Sequence, residues 1–195
     1  MWDEVTRPPR EEHVRAVVSL ALAAQPRCGE VVVVALDGPS GAGKTTLAHG
    51  VELALAPSGP VAVVHMDHLY PGWDGLSLAP GLLTSQVLEP LARGERATYR
   101  LWSWVREQWS GTREVPPCRF LVVEGCGSSV GPAGSYAAVS VFVDADVALR
   151  MRRGIERDGE AYRPQWQRWA DQETALFTAD ATRERADLVL DTSSL

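Results

Sequence analysis

The sequence has almost no lysine. Of its 19 basic residues, Lys44 is the one lysine and the rest are arginine. A composition so biased toward arginine keeps a lysine where a compact point charge is needed and a planar fork does not fit. Cysteine is also scarce. Cys28, Cys118 and Cys126 show no C-x-x-C spacing and cannot all pair with one another, which excludes a disulfide scaffold or a zinc site and indicates a reducing compartment. No apolar run near the start is long enough to span a bilayer. Residues 16–24 have the length of a signal-peptide core, but Asp3, Glu4, Glu11 and Glu12 precede them, where such a segment needs positive charge. Val14, Val17, Val18 and Ala21 instead follow helical spacing. An excess of positive charge is missing too: 25 acidic residues against 19 basic give a net charge of −6. Such a chain has no long-range attraction to nucleic acid or to an anionic membrane. The reading is a cytoplasmic protein with neither as a partner, with an amphipathic helix at about 11–24.

What is present is ordinary globular material. The chain has 195 residues, 45% hydrophobic and 23% charged, which suits one domain over 1–195 and excludes disorder. Continuous apolar, β-branched runs at 31–36, 61–65, 120–124 and 139–144 read as strands buried on both faces. A short final strand falls at 188–190. Helical patterns lie at 44–55, 81–93, 146–157 and 164–177, the last two opened by an acidic cap at Asp146 and by Pro164. The stretches 66–80 and 96–117 read as loop and irregular chain. Strands alternating with helices imply a parallel sheet with helices on both faces.

Between the first strand and the helix at 44 stands Gly38-Pro39-Ser40-Gly41-Ala42-Gly43-Lys44-Thr45, which fits G-x-x-x-x-G-K-[ST] in full. A buried strand before it and a helix after it are the context this phosphate-binding loop requires. Glycines allow a tight turn, so that successive N–H groups converge on an anion, and the helix adds its positive end. Gly38, Ser40, Gly41, Ala42, Gly43, Lys44, Thr45 and Thr46 are therefore the expected nucleotide-binding residues. Lys44 is expected on the β- and γ-phosphates and the Thr45 hydroxyl on Mg²⁺. An α/β P-loop fold with a five-stranded parallel sheet follows, with Mg²⁺ and a nucleoside triphosphate as cofactors; ATP is the expected one, and GTP stays open.

Three further positions point to chemistry. Asp67 closes the second strand, at the edge of an open parallel sheet where ligands bind, and can accept the proton of an attacking hydroxyl; a loop or helix cap would use the same residue. Glu124 ends the third strand and is a candidate for Mg²⁺, or a solvated strand-end acid. Arg150, Arg152, Arg153 and Arg157 crowd two turns of one helix, an arrangement that a transferring phosphoryl group would relieve and that Glu156 and Asp158 could also neutralise. Arg153 and Arg157, four apart on one face, are the expected catalytic pair. They sit in a helical lid at about 150–163, with Gly154 and Gly159 as candidate hinges.

These residues resemble the uridine kinase and phosphoribulokinase group of P-loop kinases. The run Asp37 to Thr46 is similar to that group's first strand end and loop. Asp67-His68-Leu69-Tyr70 is similar to its D-x-F-Y segment, Glu124-Gly125 to its E-G pair, and Arg152-Arg153 with Arg157-Asp158 to its R-R-x-x-R-D lid. The resemblance implies a kinase acting on a hydroxyl of a small metabolite, with Asp67 as general base and a nucleoside as one candidate acceptor. It implies that the chain near Asp191 to Ser194 runs past the adenine.

The acceptor region is expected over about 66–117, with Asp67, Tyr70, Tyr99, Arg100 and Trp102 as substrate contacts and Trp73 and Trp104 nearby. Trp102 and Trp104 share one face if the segment is extended. The group's Y-D pair and following H-x-R are missing here, where Tyr99 is followed by Arg100-Leu101-Trp102. Other P-loop kinase branches (nucleotide, gluconate-type, antibiotic-modifying) and a non-catalytic ATP-binding regulator therefore stay open. A GTPase does not: its N-K-x-D segment needs a second lysine. Trp166 and Trp169, three apart on a helix, read as packing, as does Cys126. The four histidines are scattered and suggest no metal site.

Overall fold

The computed structural model describes residues 8–193; Asp3, Glu4 and Ser194, on which parts of the sequence reading draw, lie outside them. Five strands form one parallel sheet in the order β2-β5-β1-β6-β7. They are β1 (Val32–Asp37), β2 (Val61–His65), β5 (Phe120–Glu124), β6 (Ala137–Asp144) and β7 (Leu188–Asp191), while β3 (Thr98–Ser103) and β4 (Gln108–Glu114) pair separately as an antiparallel hairpin. Every residue of β1 and β5 is buried, as the unbroken apolar runs require of central strands.

The two sides of the sheet bury different residues. Val32, Val34 and Leu36 of β1 face Val17 and Ala21 of α1 (Glu11–Ala23) and Leu47, Ala48, Val51 and Leu55 of α2 (Lys44–Leu55). Val33 of β1 with Val64, Leu121 and Val123 faces the opposite layer. That layer comprises α3 (Ala79–Leu83), α4 (Glu89–Ala92), α5 (Pro132–Tyr136) and α7 (Arg163–Asp180). Between β6 and α7 lies α6 (Val147–Asp158), and α8 (Thr182–Arg185) leads into β7. Asp146 caps α6, its carboxylate accepting the N–H groups of Ala148 and Leu149.

Two segments differ from the sequence reading. Residues 98–114 are a β-hairpin rather than irregular chain. Tyr, Trp and Thr favour strands, but a register shift between Arg100 and Trp102 breaks the alternation that would have announced it. The segment read as one helix over 81–93 is α3, a π-turn at Thr84–Leu88, and α4. Pro90 lacks an N–H and crowds the carbonyl four residues back, so the helical ladder widens there. No described helix is long and apolar enough to cross a membrane.

Candidate active site

Because all five strands are parallel, their carboxyl ends lie along one edge. There Leu36 is in register with Glu124, and Glu124 with His65. The phosphate loop leaves β1 at this edge. Gly38 and Gly41 have φ of 125° and 77°, and a Cβ on them would stand 2.1 Å from the carbonyl oxygen of Val143 and 2.3 Å from that of Arg150. Only glycine fits either place. The first bond of α2 runs from Leu47 N to Gly43 O at 3.1 Å, so the N–H groups of Lys44, Thr45 and Thr46 have no acceptor in their own helix. Those amides, at the positive end of the helix, have the arrangement an anion cradle requires.

A cavity of about 440 Å³ opens over the cradle. Its walls include Ser40, Gly41, Gly43, Lys44, Thr45, Thr46, Asp67, Glu124, Arg153 and Arg157, so most of the residues singled out in the sequence converge there. Lys44 is buried and its Nζ donates to the carbonyls of Gly38 and Pro39 at 2.8 and 2.9 Å. The hydroxyl of Thr45 donates to Glu124 Oε2 at 3.2 Å. Burial raises the Glu124 carboxyl, but His65 and Lys44 more than offset this and hold it below the usual carboxylate range. An ionised carboxylate beside a hydroxyl is the hard-oxygen pair that suits Mg²⁺, which keeps its remaining places for phosphate and water oxygens.

Asp67 sits just beyond β2 in a short 3₁₀ turn. The indole Nε1 of Trp104 donates to its backbone carbonyl at 3.0 Å and so fixes the turn that presents its carboxylate. Burial, with Glu124 next, pushes that carboxyl up to about 6, against Arg157, Lys44 and His65. The two lid arginines do different things. Arg153 donates to the Gly41 carbonyl at 3.3 Å and to the carbonyl and hydroxyl of Thr192, both at 3.1 Å; it ties the loop to the chain after β7. Arg157 is bidentate on Asp158 at 2.9 and 2.8 Å and is the arginine whose charge reaches Asp67.

The remaining arginines do not wait for an anion. Arg150 is buried against the carbonyl of Ala145, and Arg152 lies 4.0 Å from Glu156. Gly154 lies inside α6, and a Cβ there would stand 2.8 Å from Tyr162 Cε1 and 3.4 Å from Trp166, so the glycine lets the elbow between α6 and α7 pack.

The expected acceptor contacts other than Asp67 stand elsewhere. Tyr70, Tyr99, Arg100 and Trp102 do not line the cavity. Tyr70 is buried, edge-on to Trp169, and its hydroxyl donates to the Cys126 carbonyl at 3.0 Å. Tyr99 is buried against His68. The guanidinium of Arg100 lies 4.6 Å from the centre of the Trp109 ring, which also packs against Trp102. The strand ends at Ser103, so Trp104 stands in the turn and not on the face of Trp102, and the two go to separate clusters: Trp104 joins Trp73 and Trp169. Trp166 and Trp169 are buried packing residues, as anticipated.

Four participants escaped the sequence reading. His65 Nδ1 lies 2.7 Å from Glu124 Oε1. Asp37, fully enclosed, accepts the N–H groups of Gly38, Gly127 and Ser129 and the Ser129 hydroxyl, all at 2.7–2.8 Å. It clamps the phosphate loop to the loop after β5. Glu173 of α7 accepts the Ser40 N–H at 2.7 Å and the Cys126 thiol at 3.1 Å. Burial and Glu173 push that thiol up, so Cys126 serves here as a donor. The fourth is the stretch Pro8 to His13, part of which also lines the cavity. A carboxylate at the end of β1 was the one available signal for the clamp; the other three depend on long-range placement.

No family model matches the chain, and no curated protein matches it. Solved structures do. A candidate uridine kinase from Bacillus stearothermophilus is 21% identical with a TM-score of 0.66, over 92% of this chain and 98% of that one. A candidate fructose transport system kinase from Silicibacter sp. TM1040 is 25% identical with a TM-score of 0.64, over 90% and 98%. A D-glycerate 3-kinase from Cryptococcus neoformans is 10% identical with a TM-score of 0.52, over 92% and 93%. The fold is that of the P-loop kinases, and among them the chain resembles the uridine kinase-like structures.

Proposed function

We propose that this chain is an ATP- and Mg²⁺-dependent phosphotransferase that moves the γ-phosphoryl group to a hydroxyl of a small metabolite. The observation that carries the reading is that Lys44, Thr45, Glu124, Asp67 and Arg157 line one cavity over the phosphate cradle. In this reading the cradle amides hold the phosphates, and Lys44 exchanges its two loop carbonyls for phosphate oxygens. Thr45 and Glu124 hold Mg²⁺, which when bound offsets charge on the phosphates. Asp67 accepts the acceptor hydroxyl's proton at its carboxylate. Arg157 faces the developing charge, and closure of the α6–α7 lid keeps water out. The acceptor binds beside Asp67, in front of the wall that Trp104 supports. A nucleoside is one acceptor class consistent with the fold's likeness to a candidate uridine kinase. The free thiols of Cys28, Cys118 and Cys126 fit a cytoplasmic setting.

The test is release of ADP from Mg-ATP across a panel of nucleosides, nucleotides, sugars, sugar acids, pantothenate and aminoglycosides, with Lys44→Ala as the blank. A signal with one class, lost in the blank, is the expected result. ATP binding without transfer to any acceptor would favour a regulatory role for the same site.

A further inference from the structure

The cavity has two ends, set by strand order. On one side of β1 lie β5, which ends at Glu124, and β2, followed by Asp67; on the other lie β6 and β7, followed by Arg153 and Thr192. A triphosphate seated on the central loop with its γ end at Asp67 must send its nucleoside toward β6 and β7. That end is walled by an element outside the sheet. Pro8, Pro9, Arg10 and His13 line the same cavity as Arg153 and Thr192, and α1, which they open, packs against α2 and β6.

The wall is seated. Gly50 of α2 leaves room for it: a Cβ at that position would stand 2.5 Å from Pro9 Cγ and 2.8 Å from Val14 Cγ2. Arg10 belongs to the β7 end. After Ser193, it is among the groups that hold the carboxyl of Asp191, the last residue of β7, below its ordinary value. Both side chains suit a nucleoside: a guanidinium stacks on aromatic faces and donates to sugar and base oxygens and nitrogens, and an imidazole offers a flat ring.

We propose that Arg10 and His13 form the outer wall of the nucleoside half of the donor site and set the affinity for the base and ribose of a purine nucleoside triphosphate. This rests on the phosphotransferase reading above. The experiment is calorimetric titration of wild type, Arg10→Ala, Arg10→Lys and His13→Ala with two probes in Mg²⁺ buffer, a non-hydrolysable ATP analogue and inorganic tripolyphosphate. Each alanine variant is expected to bind the analogue about fivefold more weakly or worse, with tripolyphosphate changed by less than about twofold. Arg10→Lys, which keeps the charge and loses the plane, is expected to resemble Arg10→Ala. Variants that bind the analogue as wild type does would overturn the proposal. So would an equal loss for both probes, which would put Arg10 or His13 on the phosphates. Wild type binding neither probe would remove the nucleotide reading itself, a result separate from the other two.

Discussion

His65 and Glu124 end neighbouring strands in register and are joined side chain to side chain, Nδ1 to Oε1 at 2.7 Å. The other carboxylate oxygen of Glu124 accepts the Thr45 hydroxyl. The imidazole therefore fixes the plane in which Glu124 offers its oxygens to the cavity. Partners of this kind typically change metal affinity by about 10- to 100-fold. His65→Ala is expected to raise the Mg²⁺ concentration for half-maximal rate by about tenfold, with the KM for the acceptor little changed. Rate measured against free Mg²⁺ at saturating ATP checks this.

Asp67 must be ionised to accept a proton, and burial raises its carboxyl to about 6. The sign follows: activity is full above that value and falls as pH drops through it. A profile of kcat/KM for the acceptor is expected to show an acid limb near 6. Asp67→Asn is expected to lose transfer by about 100-fold or more while binding ATP as before.

Asp37 satisfies four donors inside the protein. Asp37→Ala leaves them buried without that acceptor, and each such loss is costly. Urea unfolding is expected to show a decrease of about 3 kcal/mol or more, with weakened ATP binding because the phosphate loop loses its anchor.

Gly154 meets Tyr162 and Trp166 at the elbow between α6 and α7. Gly154→Ala forces these rings apart, an overpacking that costs about 1–3 kcal/mol. Its expected signature is a lowered Tm together with a lowered kcat, since Arg153 and Arg157 ride on the same helix. A true hinge glycine would lower kcat with little effect on Tm.

The parts of this site readable from sequence are those encoded locally. The P-loop announces itself in eight consecutive residues, and β2, β5 and α2 begin and end where the apolar runs and Lys44 place them. Glu124 was legible because it ends such a run, and Asp67 because it closely follows one. Tyr70, expected as a substrate contact, lies off the cavity because its ring turns toward Trp169 in the core, which its segment gives no hint of. The hairpin β3–β4 was missed because a bulge interrupts its alternation. His65 and Glu124 are 59 residues apart, and Ser40 and Glu173 are 133 apart. Only the sheet register and the return of α7 bring these partners together, and no short-range pattern encodes either.

The hairpin β3–β4 lies within the crossover from β2 to β5 and shares no ladder with the main sheet. Its hold on the rest of the molecule is by packing instead: Tyr99 is buried in the layer that covers the sheet, and Trp104 in the turn bonds to the Asp67 carbonyl. β1, β6, β7 and the start of α1, which the proposal gives to the donor nucleotide, lie outside that crossover. A change in the hairpin is therefore felt first at Asp67, through Trp104, while the anchors of the phosphate loop, Asp37 and Glu173, keep their partners.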